Sequence, residues 1–218
     1  MSNYNWEKYN IKNMKLAKRF ISLNKKNKFN FIEKGLYNHV RDILCLSLLI
    51  NKKKKLNVLD YGSNILSLIN INKKIDINLF NFFIYDPFLK EKKNIKHPFK
   101  ISILNKKKDL QKKHFDVVNF GSSIQYIKNL KDIEETINFL KVSSVVITHT
   151  PLTLKKEFIS KQTNHKQLSQ KIYNYYNIIN FFKKKKFKLI FKSRNKNKYV
   201  ASLKNKSSTF SLNLVFNK

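Results

Sequence analysis

The segment Leu56-Asn57-Val58-Leu59-Asp60-Tyr61-Gly62-Ser63-Asn64 constrains the fold more than any other stretch of the chain. It is a short apolar strand running into an acid and a tight turn, and it holds one of only 3 glycines among 218 residues. A carboxylate at the carboxyl end of a buried strand, followed by a glycine that lets the backbone turn and approach a ligand, is how nucleotide-binding α/β domains build their first crevice loop. A small-molecule cofactor is expected at this turn.

The rest of the chain repeats the alternation that such a loop requires. Strand candidates lie at Leu56–Asp60, Leu79–Asp86, Phe99–Leu104, Phe115–Phe120, Val142–Thr148, Phe187–Lys192 and Thr209–Phe216, several of them continuous apolar runs suited to a parallel sheet covered on both faces. Helical patterns fall at Ile65–Asn70, Leu130–Leu140 and Ile172–Lys185, the last with Tyr173, Tyr176, Ile179 and Phe182 on one face. This order predicts a doubly wound, mainly parallel α/β sheet of seven strands over residues 51–218. Residues 1–50, with loosely spaced Trp6, Tyr9, Ile11, Met14 and Phe20, read as an N-terminal helical arm or lid.

Composition bounds the partners. The formal charge of +33 points to nucleic acid, an anionic membrane surface or an acidic substrate. Yet all but Arg19, Arg41 and Arg194 of the 46 basic residues are lysine, and arginine is the residue favoured for bidentate phosphate contacts. The profile equally follows from an AT-rich genome, so both origins stay open. The lone Cys45 makes no internal disulfide, the apolar run Ile43–Ile50 is too short to span a bilayer, and Met1–Lys8 lacks the apolar core of a secretory signal. A cytoplasmic protein is expected, either free or held by charge at the inner face of a membrane.

In open parallel sheets the ligand lies beyond the carboxyl ends of the strands, where strand order reverses. The polar residues gather there: Asp60-Tyr61-Gly62-Ser63-Asn64, Tyr85-Asp86-Pro87, Asn119-Phe120-Gly121-Ser122-Ser123 and Thr148-His149-Thr150-Pro151.

With an acid following at Asp86, then Phe115-Asp116-Val117-Val118 and a terminal Leu214-Val215-Phe216-Asn217-Lys218, the chain resembles the class I, seven-stranded S-adenosylmethionine-dependent methyltransferases over residues 56–218. It is most similar to a family associated with surface-polysaccharide biosynthesis, through Leu59-Asp60-Tyr61-Gly62-Ser63, Ser123-Ile124-Gln125-Tyr126-Ile127 and His149-Thr150-Pro151. The resemblance implies S-adenosylmethionine as cofactor. Asp60 and Gly62 would flank its methionine part, Asp86 its ribose hydroxyls and Asn105 its adenine, while Ser122 and Ser123 would floor the sulfonium. The usual Asp-x-Gly-x-Gly-x-Gly loop is eroded, with Asn64 and Leu66 at the second and third glycine positions. Asn64 tolerates a left-handed turn, whereas Leu66 would crowd a close backbone approach.

Methyl transfer from a sulfonium is an in-line displacement, for which the protein supplies alignment and, for a hydroxyl acceptor, a base. His149 is the candidate base, although the related family more often has arginine there. Gln125, Tyr126 and His165 are candidate acceptor contacts. His165, Gln167 and Gln170 lie between the fifth strand and the next helix, where substrate-covering elements are often inserted. Plainer roles compete: Asp60 as a helix cap, Asp86 before Pro87 as a turn, Ser122 and Ser123 as caps, His149 as a hydrogen-bonded strand-end histidine and Tyr126 as packing. No His, Cys or carboxylate cluster has metal-ligand spacing, so no metal is expected.

Three functions follow. The first is O-methylation of a sugar or other small acceptor in glycan assembly. A second is methylation of RNA or DNA, against which stands Asn119-Phe120-Gly121-Ser122 in place of an Asn-Pro-Pro-Tyr loop. The third is a noncatalytic basic module that kept the fold and lost the cofactor.

Overall fold

The computed structural model describes residues 45–46, 48–49, 55–62, 79–86, 101–104, 106–162, 168–195 and 208–218. Their centre is a mainly parallel sheet. Strands β1 (Leu56–Tyr61), β2 (Phe80–Tyr85), β3 (Ile101–Leu104), β4 (Val117–Gly121) and β5 (Ser144–Thr153) lie in the order 3-2-1-4-5, every pairing parallel. The order reverses between β1 and β4, which is where a ligand crevice opens. β8 (Lys188–Asn195) and β9 (Thr209–Asn217) close the far side, β9 running antiparallel between β5 and β8.

All seven expected strands are present, and two more bring the total to nine among the described residues. β6 (Phe158–Lys161) and β7 (Ser169–Asn174) form an antiparallel pair, with β7 parallel to the tip of β5 at Leu152 and Thr153. Residues 172–174, expected to start a helix, are therefore strand. Tyr173 lies in β7, and the helix α3 begins at Tyr175 and runs to Lys184. Its core residues are Ile178 and Phe182, whereas Tyr176, assigned to the buried face, is exposed. β5 also runs past its expected end and includes His149, Thr150 and Pro151.

Local chemistry explains the boundaries. Helix α1 (Lys107–Gln111) links β3 to β4. Helix α2 (Leu130–Leu140) starts at Asn129, whose side chain accepts the Asp132 N–H at 2.9 Å, and stops at Lys141 in a left-handed conformation. Ile133, Ile137 and Leu140 recur at helical spacing and are buried. In α3, Asn174 caps the N–H groups of Tyr176 and Asn177, and Lys183 and Lys184 sit in the last turn, where cations favour the helix dipole. Phe182 stacks on Phe216 of β9 with centroids 4.4 Å apart. An ion pair between Lys185 and Glu134 ties the two helices.

The expected N-terminal arm, residues 1–50, falls almost wholly outside the described residues. Within it, Cys45 and Leu46 are helical and buried, and Cys45 forms no disulfide among the described residues. No described helix is long and apolar enough to cross a membrane.

Candidate functional site

The carboxyl ends of β1, β2, β4 and β5 meet along one edge of the sheet. Asp60 and Asn119 are paired across β1 and β4, and Asn119 Nδ2 donates to Asp60 Oδ1 at 3.1 Å with both side chains buried. A carboxylate at this position must be met by donors, because an ionised group out of water is costly unless hydrogen-bonded. One step on, Gly62 turns away with φ of +73° and donates its N–H to the Tyr85 carbonyl at 2.8 Å. A Cβ there would stand 3.0 Å from Cβ of Ser123, so glycine is favoured both by the left-handed backbone and by the approach of the β4 loop.

Asp86 follows β2, is buried, and donates its backbone N–H to the Leu104 carbonyl at 3.3 Å. Tyr61 and Tyr85 pair across β1 and β2 with ring centroids 5.1 Å apart, and Tyr61 reaches Phe120 of β4 at 5.4 Å. Burial pushes both phenols up, that of Tyr85 further through Tyr61 and the Asp86 charge, so both stay protonated near neutrality.

After β4 the chain turns sharply. Ser122 has φ of 59° and donates its N–H to the Thr148 carbonyl at 2.9 Å. Ser123 then enters a 3-10 turn at Ile124–Tyr126. Gln125 Nε2 donates to Ser122 Oγ at 3.2 Å, and Tyr126 Oη to Gln162 Oε1 at 3.1 Å. Tyr126 thus bonds to the inserted β6–β7 region rather than packing on the following helix alone.

His149 sits in a bulge. The β5–β9 register shifts between Ile147 and Thr150, so Thr148 and His149 together face Asn213. His149 is buried and left-handed, with φ of 52°. Its backbone N–H donates to Asn213 Oδ1 at 3.1 Å, and Asn213 Nδ2 donates on to Ser193 Oγ at 2.9 Å. A non-glycine residue held left-handed persists only where its surroundings impose it.

Asp60, Gly62, Asp86, Ser122, Ser123, Gln125, Tyr126 and His149 all therefore fall at or beside the same edge. Asn64, Asn105 and His165 lie outside the described residues. Among the described residues no group of His, Cys, Asp and Glu could hold a metal ion. Gln162 was not legible as part of the site. A lone glutamine beyond a short strand gives no periodic signal.

The edge suits a ligand rich in hydrogen-bond donors. Asp60 and Asp86 place buried carboxylates on neighbouring strands, and the buried Asn119 Oδ1, Ser123 Oγ and Gln125 Oε1 have no hydrogen-bond partner among the described residues. Such atoms are seldom left unpaired unless something else completes them.

No family model and no curated protein matches the chain. Solved structures do. Coclaurine N-methyltransferase bound to N-methylheliamine and S-adenosylhomocysteine gives a TM-score of 0.56 at 10% identity, over 86% of this chain and 76% of that one. An S-adenosylmethionine-dependent methyltransferase from Clostridium acetobutylicum gives 0.52 at 10% identity, over 93% and 97% of the two chains. The magnesium protoporphyrin IX methyltransferase of Synechocystis with bound S-adenosylhomocysteine gives 0.51 at 11% identity, over 94% and 99%. Likeness at this level of identity is likeness of fold: the chain has the fold of the S-adenosylmethionine-dependent methyltransferases.

Proposed function

We propose that the protein is an S-adenosylmethionine-dependent methyltransferase acting on a hydroxyl of a sugar or another small acceptor. The observation that carries this reading is the meeting of buried Asp60, left-handed Gly62 and buried Asp86 at the strand-order reversal of a methyltransferase-type sheet. Asp60, Gly62, Asn64 and Ser123 would hold the methionine part of the cofactor, with Ser122 shaping the loop. Asp86 would accept from the ribose hydroxyls, where a carboxylate makes charge-assisted bonds to two adjacent donors, and Asn105 would face the adenine.

When bound, the cofactor supplies a methyl group on a positively charged sulfur, already activated for displacement. The chain's own part is then to bind, align and move one proton. His149, at the crevice edge of β5, would take the proton of the acceptor hydroxyl. An imidazole nitrogen can accept a proton as a general base, and the bond from the His149 backbone to Asn213 fixes its position along the strand. The sugar-type acceptor and the link to polysaccharide assembly rest on the resemblance in the Ser123–Ile127 and His149–Pro151 segments. A location in the cytoplasm, free or at an anionic membrane face, belongs to the same reading.

Calorimetric titration with S-adenosylhomocysteine tests it. Saturable one-to-one binding is expected, and Asp86→Ala should weaken it by about 1.5–3 kcal/mol, the worth of hydrogen bonds to a charged group. No binding at millimolar concentration would overturn the proposal in favour of a noncatalytic module.

A further inference from the structure

We infer that the inner face of the β6–β7 pair is the acceptor-recognition wall and that it selects an uncharged acceptor bearing several hydroxyl or amide groups. The inference rests on the methyltransferase reading and names its substrate class.

The topology places this wall. Along Leu152 and Thr153, β5 is paired with β9 on one edge and with β7 on the other. β7 must therefore use the edge that β4 occupies lower down. β4 leaves that edge at Thr148, and β7 joins it at Leu152. Between them His149, Thr150 and Pro151 have no strand on that side among the described residues, a window of roughly 10 Å at about 3.3 Å per residue. The 3-10 turn after β4 packs on β5 and β7, and Tyr173 Oη donates to the Ile127 carbonyl at 2.8 Å, which fixes the lower lip against the upper wall.

The two faces of the pair differ. Outward lies Ile159, 75% exposed, beside half-buried Lys171. Inward, Ser160 pairs with Gln170 and both are buried, as is Gln162 one step further along. A strand face that only sealed a core would be apolar. Here the buried face sets Ser160, Gln162 and Gln170 alongside apolar Leu168 and Ile172. Across the window, Gln125 is 2% exposed, and its Oε1 has no hydrogen-bond partner among the described residues, nor has Oγ1 of the fully buried Thr148. Gln125 Oε1 asks for a donor, and the Thr148 hydroxyl can donate or accept.

Charge then sets the class. None of these side chains is charged, in a chain whose net charge is +33. A phosphate or carboxylate acceptor would call for arginine or lysine at the wall, whereas amides offer both donors and acceptors that match hydroxyl and amide groups. A site built to hydrogen-bond such groups rejects ligands that lack them.

The test uses the full chain and methyl-labelled S-adenosylmethionine. Transfer is measured onto three probes: a mixture of neutral mono- and disaccharides and polyols, the corresponding sugar phosphates and uronic acids, and an RNA oligonucleotide. S-adenosylhomocysteine binding is measured in parallel. Transfer onto the neutral mixture is expected, falling about tenfold or more in Gln125→Leu and Gln170→Leu as site hydrogen bonds are lost. S-adenosylhomocysteine binding should stay within about twofold, which shows that the variants fold. Ile159→Ser, on the outward face, should change neither. Transfer only to anionic probes, or to none while S-adenosylhomocysteine binds, overturns the wall and leaves the cofactor site standing. Loss of S-adenosylhomocysteine binding by the wild-type chain removes the methyltransferase reading itself, and the wall with it.

Discussion

The two ends of the sheet treat their polar groups in opposite ways. At the amino end Asp116, just before β4, is completed on all sides. Its carboxylate accepts the Asn57 N–H at 2.8 Å and lies 3.2 Å from Nε2 of His114. Its N–H donates to the Asn57 carbonyl, and its own carbonyl accepts from the N–H groups of Ser143 and Ser144 and from Ser143 Oγ. Ser144 Oγ goes on to Asn217 Oδ1 at 2.8 Å. At the carboxyl end Asn119, Ser123, Gln125 and Thr148 each leave a buried atom without a hydrogen-bond partner among the described residues, and Gly62, Ser122 and His149 are left-handed. The left-handed residues near the amino end, Lys141 and Lys186, only terminate helices. One end completes its polar groups within the fold, and the other keeps strained and polar groups that the proposed ligands would complete.

Substitutions at the two ends should separate these roles. The largest effect on stability is expected from Asp116→Ala, which removes a charged acceptor from a part-buried network and should cost about 1.5–3 kcal/mol in urea denaturation. Affinity for S-adenosylhomocysteine, read under folding conditions, should be unchanged. A loss of affinity comparable to that of Asp86→Ala would break the contrast.

Gly62→Ala comes next. A left-handed alanine pressed against Ser123 should lower stability by about 1–2 kcal/mol in the same assay, and S-adenosylhomocysteine affinity should fall with it. Thr148→Val is expected to act in the other direction. Removing a buried hydroxyl that has no hydrogen-bond partner among the described residues should leave stability equal or raise it by about 1 kcal/mol, while methyl transfer to the acceptor declines. A Thr148→Val protein destabilised beyond that margin would show that the hydroxyl serves the fold.

The smallest effect belongs to Glu157, which stands between β6, β7 and α3. Burial pushes its carboxyl up. Donation from Asn177, Lys171 and the Asn174 N–H, with the Lys171 charge, outweighs this and holds it below the ordinary value of 4.5. A carboxyl lowered in the folded state adds stability that is present above its unfolded pKa and is lost as pH falls through the folded value. Glu157→Gln should therefore cost about 0.5–1 kcal/mol at neutral pH and nothing in strong acid, in thermal melts across that range.

Much of this was legible in the residues. Continuous apolar runs marked β1, β4 and β5 because each is covered on both faces, and Leu130–Leu140 marked α2 because its buried positions recur at helical spacing. β6 and β7 escaped for a physical reason. Their buried face carries Ser160 and Gln170, which in a sequence look solvent-facing, so the alternation of a half-buried strand is hidden. Tyr173 and Tyr176 then mimicked a helical face by spacing alone, although Asn174 between them is a capping residue and marked the true start of α3. At the site, glycine announced the turn at position 62, but nothing announced the left-handed His149. β5 was expected to end at Thr148, before Pro151. Pro151 is tolerated where, among the described residues, β5 has no neighbouring strand on one edge.

The bond from His149 to Asn213 spans 64 residues of sequence, and β9, which carries Asn213, is the last of the nine described strands to be synthesised. The strands bearing Asp60, Asp86 and Ser123 can align as soon as β4 has emerged. β5 cannot adopt its bulge until β9 slides in beside it. During synthesis the half proposed to hold the cofactor is thus complete before the half proposed to use it, and a nascent chain stopped short of β9 has the Asp60 and Asp86 edge without the His149 bulge.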